Sequence, residues 1–333
     1  HPVATVLSQF GLELNVTNLL TVSVDSRIDV SGRGYLGGLS GGNNDGRGRT
    51  LGNTNTGGSL RRNGGSYGGL GAFGSAEQFV NVVYGAYRDP NELGSGGGSD
   101  AGAGGNGGGL VRITAGSVQL DGHLLANGGN GVTWSGGGAG GGIKLRVSTL
   151  SGAGAIEARG GNGTGNGGGG GGGRIAVTYE AAPDFEFANV RAEGGGGVNT
   201  AASGTVFIGR TGEPVQLVIR GSGVETPLPT FLGDEHVVLD NALVSATNMT
   251  VASLVLTNGS VLRHPGATVT AESRLTITAE TLVIAADSRI DVSGRGYLGG
   301  LSGGNNDHRG RTLGNTSEGG SLRRNGGSYG GLG

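Results

Sequence analysis

The segment from Asp25 to Gly71 returns almost unchanged from Asp287 to Gly333, with three differences in 47 positions: Gly46 against His308, Asn55 against Ser317 and Thr56 against Glu318. Near-identity at a period of 262 residues marks a repeat architecture, in which one supersecondary unit buries its apolar face only by stacking on the next. Upstream the repeat is looser: His1-Pro2 followed by Ala4-Thr5-Val6 answers to His264-Pro265 followed by Ala267-Thr268-Val269. The chain thus holds one full unit and the beginning of another. Stacked repeats need polar terminal caps, and neither end carries that pattern, which leads to the expectation of a window on a longer polymer.

Glycine supplies 80 of 333 residues without the three-residue period of collagen. It falls in blocks between runs of Val, Ile, Leu and Thr, so ordered strands carrying Gly loops are expected in place of a flexible linker. Between Ala242 and Val292 apolar residues recur at an offset of 21 (Leu254 with Leu275, Leu256 with Ile277, Val261 with Leu282, Val269 with Ile290), too long a spacing for a helix face. Segments opening at Leu110, Ile143, Arg174 and Thr205 start 33, 31 and 31 residues apart, and each reduces to the same coil once its Gly tract is set aside. Alternation places Ile175 and Val177 inside and Arg174 and Thr178 in solvent.

The fold class these patterns predict is all-β: a parallel β-helix (β-solenoid) of right-handed winding with Gly-rich insertions. Coils occupy 1–31, a long Gly-rich insertion with an aromatic lobe occupies 32–109, and coils resume over 110–292 with short insertions at 128–142, 160–173 and 194–204. Residues 293–333 begin the next repeat's insertion. Gly chains lack side chains to hold them apart, so the tracts are expected to pack beside the coils as polyglycine II-like helices with three residues per turn. Tyr35, Tyr67, Phe73, Phe79, Tyr84 and Tyr87 mark the lobe, which is expected at an inter-filament contact. At about seven coils per period, one unit should rise roughly 34 Å.

A formal net charge of −2 with scattered basic residues lacks the footprint of a nucleic-acid binder, and no apolar run reaches the length of a membrane span. Cysteine is absent, which removes disulfides, thiolate metal sites and cysteine nucleophiles. The five His show no ligand spacing. Asp25 and Asp29, repeated as Asp287 and Asp291, are the nearest approach to paired carboxylates and read as ion pairs or turn caps. Gly41-Gly42-Asn43-Asn44-Asp45 resembles a calcium-binding turn but is not iterated as such turns are. Thr268, Thr270, Thr276 and Thr278 form Thr-x-Thr steps too few to build an ice-binding face. No catalytic, cofactor-binding or metal residue is expected, nor any cofactor.

The runs SRIDVSGRGYLGG, GAYRDPNELGSGGG, GGLVRITAGSVQLDG and GGGGGGGRIAVTYE resemble the Gly-rich β-helical repeats of very large bacterial surface or secreted proteins, the adhesin-like or filamentous-haemagglutinin-like class. The resemblance covers nearly the whole chain through composition more than through discrete motifs. It implies a β-helical shaft, an extracellular or cell-surface location and a structural or adhesive role. The expected function is a structural repeat segment of an extracellular fibre, not an enzyme. Its expected partners are further copies of itself, stacked head to tail or joined laterally through Gly-rich and aromatic loops, and surface polysaccharide. The alternatives are a carbohydrate-binding or carbohydrate-active β-helix protein and an ice-binding solenoid. Repetition favours the fibre, because an active site needs one unique constellation and a shaft needs many copies.

Overall fold

A computed structural model describes residues 1–75 and 79–330. Strands carry the described structure, with one 3-10 turn at Phe187–Asn189 as its only helical element. The chain passes repeatedly between one large sheet and a small one. The large sheet takes nine strands in the order β1 (Leu12–Val22), β3 (Leu110–Leu120), β5 (Gly142–Ser151), β7 (Arg174–Tyr179), β9 (Thr205–Arg210), β10 (Val215–Arg220), β12 (Glu235–Asp240), β14 (Asn248–Thr257) and β16 (Thr276–Ile284). Short strands β2 (Arg27–Asp29), β4 (His123–Leu125), β6 (Ala155–Glu157) and β8 (Val190–Arg191) form a second sheet. A third contains β11 (Thr226–Pro227), β13 (Leu243–Ser245), β15 (Val261–Arg263) and β17 (Arg289–Ile290).

Within the first half the pairing is parallel and in the register that the alternation requires: Val111, Ile143, Ile175 and Val206 lie side by side, as do Ile113, Leu145, Val177 and Ile208. These residues are buried and pack with Leu124, Ile156 and Val190 from the second sheet. The expected interior positions of Ile175 and Val177 are therefore observed.

The segment opening at Thr205 departs from the expectation. It forms no coil but a hairpin: β9 turns through Thr211-Gly212 and β10 pairs back antiparallel, Leu217 opposite Phe207 and Val218 opposite Val206. Beyond it all pairing is parallel again, with strand direction reversed. The core changes face at the same point. Ala176, Phe207, Leu217, Ile219, Val237 and Leu239 point away from the first core and build a second one with Leu254, Leu256, Val244 and Leu262 on the other side of the sheet. Strands β9 and β10 are consequently buried on both faces. Their near-continuous apolar runs, TVFI and QLVI, are what two-sided burial demands.

The 21-residue offset is not the stacking step. Leu254 lies beside Leu282 and Leu256 beside Ile284, a separation of 28, because residues 264–275 loop out; elsewhere in this half β13 and β15 stack at 18 and β10 and β12 at 20. From β1 to its repeat β16 the large sheet advances by eight strand steps in place of the seven expected.

Candidate interaction surface: the glycine sheaf and its clamps

The Gly tracts are ordered by one another. Gly137 and Gly140 donate their N–H groups to the 160–173 tract (Gly168 and Gly171 O); Gly138 and Gly141 donate to the outgoing leg of their own loop (Gly129 and Ala126 O). Gly136, Ala139 and Gly142 donate to the long insertion (Gly98, Ser95 and Gly109 O). The next tract repeats the scheme: residues 168 and 171 reach the long insertion, 169 and 172 reach Asn199 and Ala202, and 170 and 173 reach Gly161 and Ala158. The direction of donation recurs every third residue, so each returning tract donates to three different neighbouring segments. Only glycine permits the approach. A Cβ on Gly137 or Gly170 would fall on the carbonyl oxygen of Gly161 or Gly138, respectively.

Side-chain amides tie successive tracts together at the positions of the recurring Gly-Gly-Asn-Gly sequence. Asn130 Oδ1 accepts from the Asn162 N–H (2.8 Å), and Asn162 Oδ1 accepts in turn from the Gly196 N–H (2.8 Å). Asn127 Oδ1 does the same for the Arg159 N–H at 2.7 Å. At the tip, Arg62 pairs with Asp100 at 2.9 Å and lies 4.4 Å from the centre of the Trp134 ring.

The long insertion has a polar centre in place of an apolar one. Asn81 accepts from Ser59 Oγ (3.0 Å) and the Ser66 N–H (2.8 Å), and donates through Nδ2 to Ser66 O, Val82 O and Ser95 Oγ. Tyr84 Oη donates to Leu93 O at 2.6 Å. Tyr35, Tyr67 and Tyr84 are buried with Leu93 and Ala139, so these rings face inward and the expected inter-filament aromatic contact is not made by them. Phe79 alone among the six is exposed. Burial, with Glu92 nearby, pushes the Tyr35 phenol up to about 12.

Two clamps fasten the insertion to the sheet. Arg174, expected in solvent, is buried at 4% exposure because the insertion covers that face; its Nε donates to Tyr84 O (2.8 Å) and its Nη1 to Thr205 Oγ1 (3.2 Å), beside the Tyr67 ring. Burial lowers its pKa from the usual arginine value. The second clamp joins Tyr87 and Arg88 to Glu235, whose side chain is fully buried at the start of β12. Arg88 Nη2 lies 2.6 Å from Glu235 Oε1 and also pairs with Asp234, while the Leu232 and Gly233 N–H groups donate to the same carboxylate. Burial alone would raise the Glu235 pKa; the Tyr87, Arg88 and Leu232 hydrogen bonds outweigh it and hold the carboxyl below its usual range. Tyr87 is pushed up to about 12 by burial and by that carboxylate.

Asp29, Asp291, Asn43 and Asp45, singled out for chemistry, serve turns. Asp29 Oδ1 caps the Ser31 N–H (2.8 Å) and Asp291 Oδ1 the Ser293 N–H (3.0 Å), each with an arginine alongside. Asn43 and Asp45 lock their own loop: Asn43 donates to Gly37 O and Arg47 O, and Asp45 accepts from the Arg47 N–H. Thr268 and Thr270 lie in a turn, whereas Thr276 and Thr278 are exposed on β16 beside Asn248 and Thr250. Among the described residues, no three His, Asp or Glu side chains converge on a point where they could hold a metal ion. No helix among the described residues is long and apolar enough to cross a membrane. No family model, curated protein or solved structure matches the chain.

Sequence reading missed Arg174, Asn81 and Glu235. Only the first left a usable signal: arginine opens β7 where Gly142 and Thr205 occupy the flanking rungs, so a long cation there needs a partner from elsewhere.

Proposed function

We propose that the chain is a structural repeat segment of an extracellular fibre or giant surface adhesin of the Gly-rich bacterial class. In this reading each pass between the large and small sheets is one coil of a right-handed β-solenoid, and the tracts beside it are polyglycine II-like helices. The observation that carries the reading is the position of the internal repeat. The two copies, opening at Asp25 and Asp287, each begin three residues after an edge strand of one nine-stranded sheet, β1 ending at Val22 and β16 at Ile284. A second copy laid on a free edge of the sheet extends it by the same parallel pairing that joins every neighbouring pair of its strands except β9 and β10.

The face switch belongs to this design. Reversing strand direction and interior face together leaves the winding sense unchanged, so the coil at β16 is the coil at β1 turned by half a revolution about the stacking axis. Successive sheaves then project from opposite sides of the shaft. The role is mechanical and adhesive instead of catalytic, and the polar groups described above hold glycine chains in place. An antibody raised against the chain should decorate filaments on unpermeabilised cells of the source organism. Label confined to the cell interior would overturn the reading.

A further inference from the structure

The same 47-residue sequence occurs here in two states, covered and uncovered, and the first shows what the second accepts. In both copies the loop folds alike: Asn43 and Asn305 donate to equivalent carbonyls (Gly37 and Arg47; Gly299 and Arg309), and Arg49 and Arg311 both hold Asn53 or Asn315. Leu39 and Leu301 share a left-handed backbone at φ 54° and 55°. Their surroundings differ. Tyr35 is 0% exposed and Tyr297 39%; Tyr67 is 0% exposed and Tyr329 107%.

Around Tyr67 the cover comes from Tyr84, Arg174 and the 160–173 tract, whereas the start of the first copy is covered by residues 93–125. The N–H groups of Gly34, Tyr35 and Gly38 donate to Gly107, Gly94 and Gly97 O, and that of Gly37 to Asn106 Oδ1 (2.9 Å). Strand β3 then pairs along β1, and β4 along β2. In the second copy the corresponding N–H groups, on Gly296, Tyr297, Gly299 and Gly300, have no backbone partner among the described residues. Leu282, Val283 and Ile284 stand exposed on the edge strand beside them.

We propose that residues 282–300 form a docking surface for a further copy of the segment 93–125, a glycine tract followed by a strand, taken in the register seen in the first copy. Leu282 and Ile284 then lie beside the equivalents of Val118 and Leu120, as Leu20 and Val22 do, and Ile290 beside the equivalent of Leu124. The glycines provide a steric signature. A Cβ on Gly37 would fall on the Gly104 backbone and one on Gly34 on Gly107 and Gly108, whereas Gly299 meets only Ser302 Cβ at 3.9 Å and Gly296 meets nothing within 4 Å. Alanine at 296 or 299 therefore fits the chain as it stands and is excluded only by the occupant.

The inference rests on reading the chain as a stackable unit, and the two fail separately, because the docking test requires no filament. The probe is a synthetic peptide of residues 93–125, used below the concentration at which it self-associates, with a scrambled peptide as control. Added to the full chain, it should slow hydrogen exchange at residues 296–300 at least about tenfold and should bind at least about tenfold more weakly to Gly299→Ala and Gly296→Ala. Both variants should keep the wild-type melting temperature. Unchanged exchange at 296–300, or equal binding to the folded alanine variants, would overturn the proposal even if the fibre itself were found.

Discussion

Gly170 and Gly327 are chemically the same and structurally opposite. A Cβ on Gly170 meets the Gly138 backbone in the middle of the sheaf, while one on Gly327 has nothing within 4 Å. Gly170→Ala should cost at least about 1–3 kcal/mol in urea unfolding, the penalty of overpacking a site that cannot give way. Gly327→Ala should be neutral or stabilise by up to about 1 kcal/mol through the entropy of the unfolded chain. The phenols give a pH signature. Tyr35 and Tyr87 are raised to about 12 by burial, so both stay protonated in the folded protein above the ordinary phenol value. Their contribution is complete below the unfolded pKa of about 10 and is lost as pH rises toward 12. Stability measured by chemical denaturation should therefore decline over that interval, and ultraviolet titration should show tyrosinate appearing late. Glu235 has the opposite sign: its depressed pKa makes its contribution present above the unfolded value of about 4.3 and lost as pH falls through the folded one.

Among the elements, the hairpin of β9 and β10 and the clamp at Arg88 decide the architecture. The hairpin reverses the sheet, and the clamp closes the start of the second core, where Tyr87 packs within 6.1 Å of the Phe207 ring centre. Removing Arg88 leaves the Glu235 carboxylate buried with only the Tyr87 hydroxyl and two backbone donors. The expected cost of Arg88→Ala is up to about 3 kcal/mol, the lower edge for a broken buried pair because Arg88 itself reaches solvent. Hydrogen exchange should accelerate most over residues 83–93. The ladder of first-half strands was legible in the sequence because Ile143, Leu145 and Val147 alternate with Lys144 and Arg146, and the packing of the glycine tracts on one another was legible because nothing but mutual contact could order so much glycine. The reversal was hidden for a physical reason. Spacing alone reads TVFI and QLVI as one coil, although near-continuous apolar runs on either side of Thr-Gly-Glu-Pro are how a hairpin buried on both faces reads. The 21-residue offset misled because apolar residues recur at several spacings in short strands, and only pairing distinguishes Leu254 beside Leu282 from Leu254 beside Leu275. The partner of Arg174 lies 90 residues away and that of Asn81 in a glycine-rich loop, so local pattern signals at most that Arg174 needs a partner and does not say which.

At the scale of the molecule, one sheet runs from the strand before the first copy of the repeat to the strand before the second and carries its core on one face up to the β9–β10 hairpin and on the other beyond it. If units stack as proposed, eight strand steps at about 4.8 Å give a rise of about 38 Å per 262-residue unit, with successive units related by half a revolution plus whatever twist the sheet accumulates. A shaft built this way presents a glycine sheaf first on one side and then on the other, which offers lateral contacts in two opposed directions. The direct measurement is the helical symmetry of the native filament by electron cryo-microscopy. A rise near 38 Å per unit, with sheaves alternating between opposite sides, is the predicted result. A rise several strand spacings away from that value, or sheaves all projecting from one side, would contradict the account.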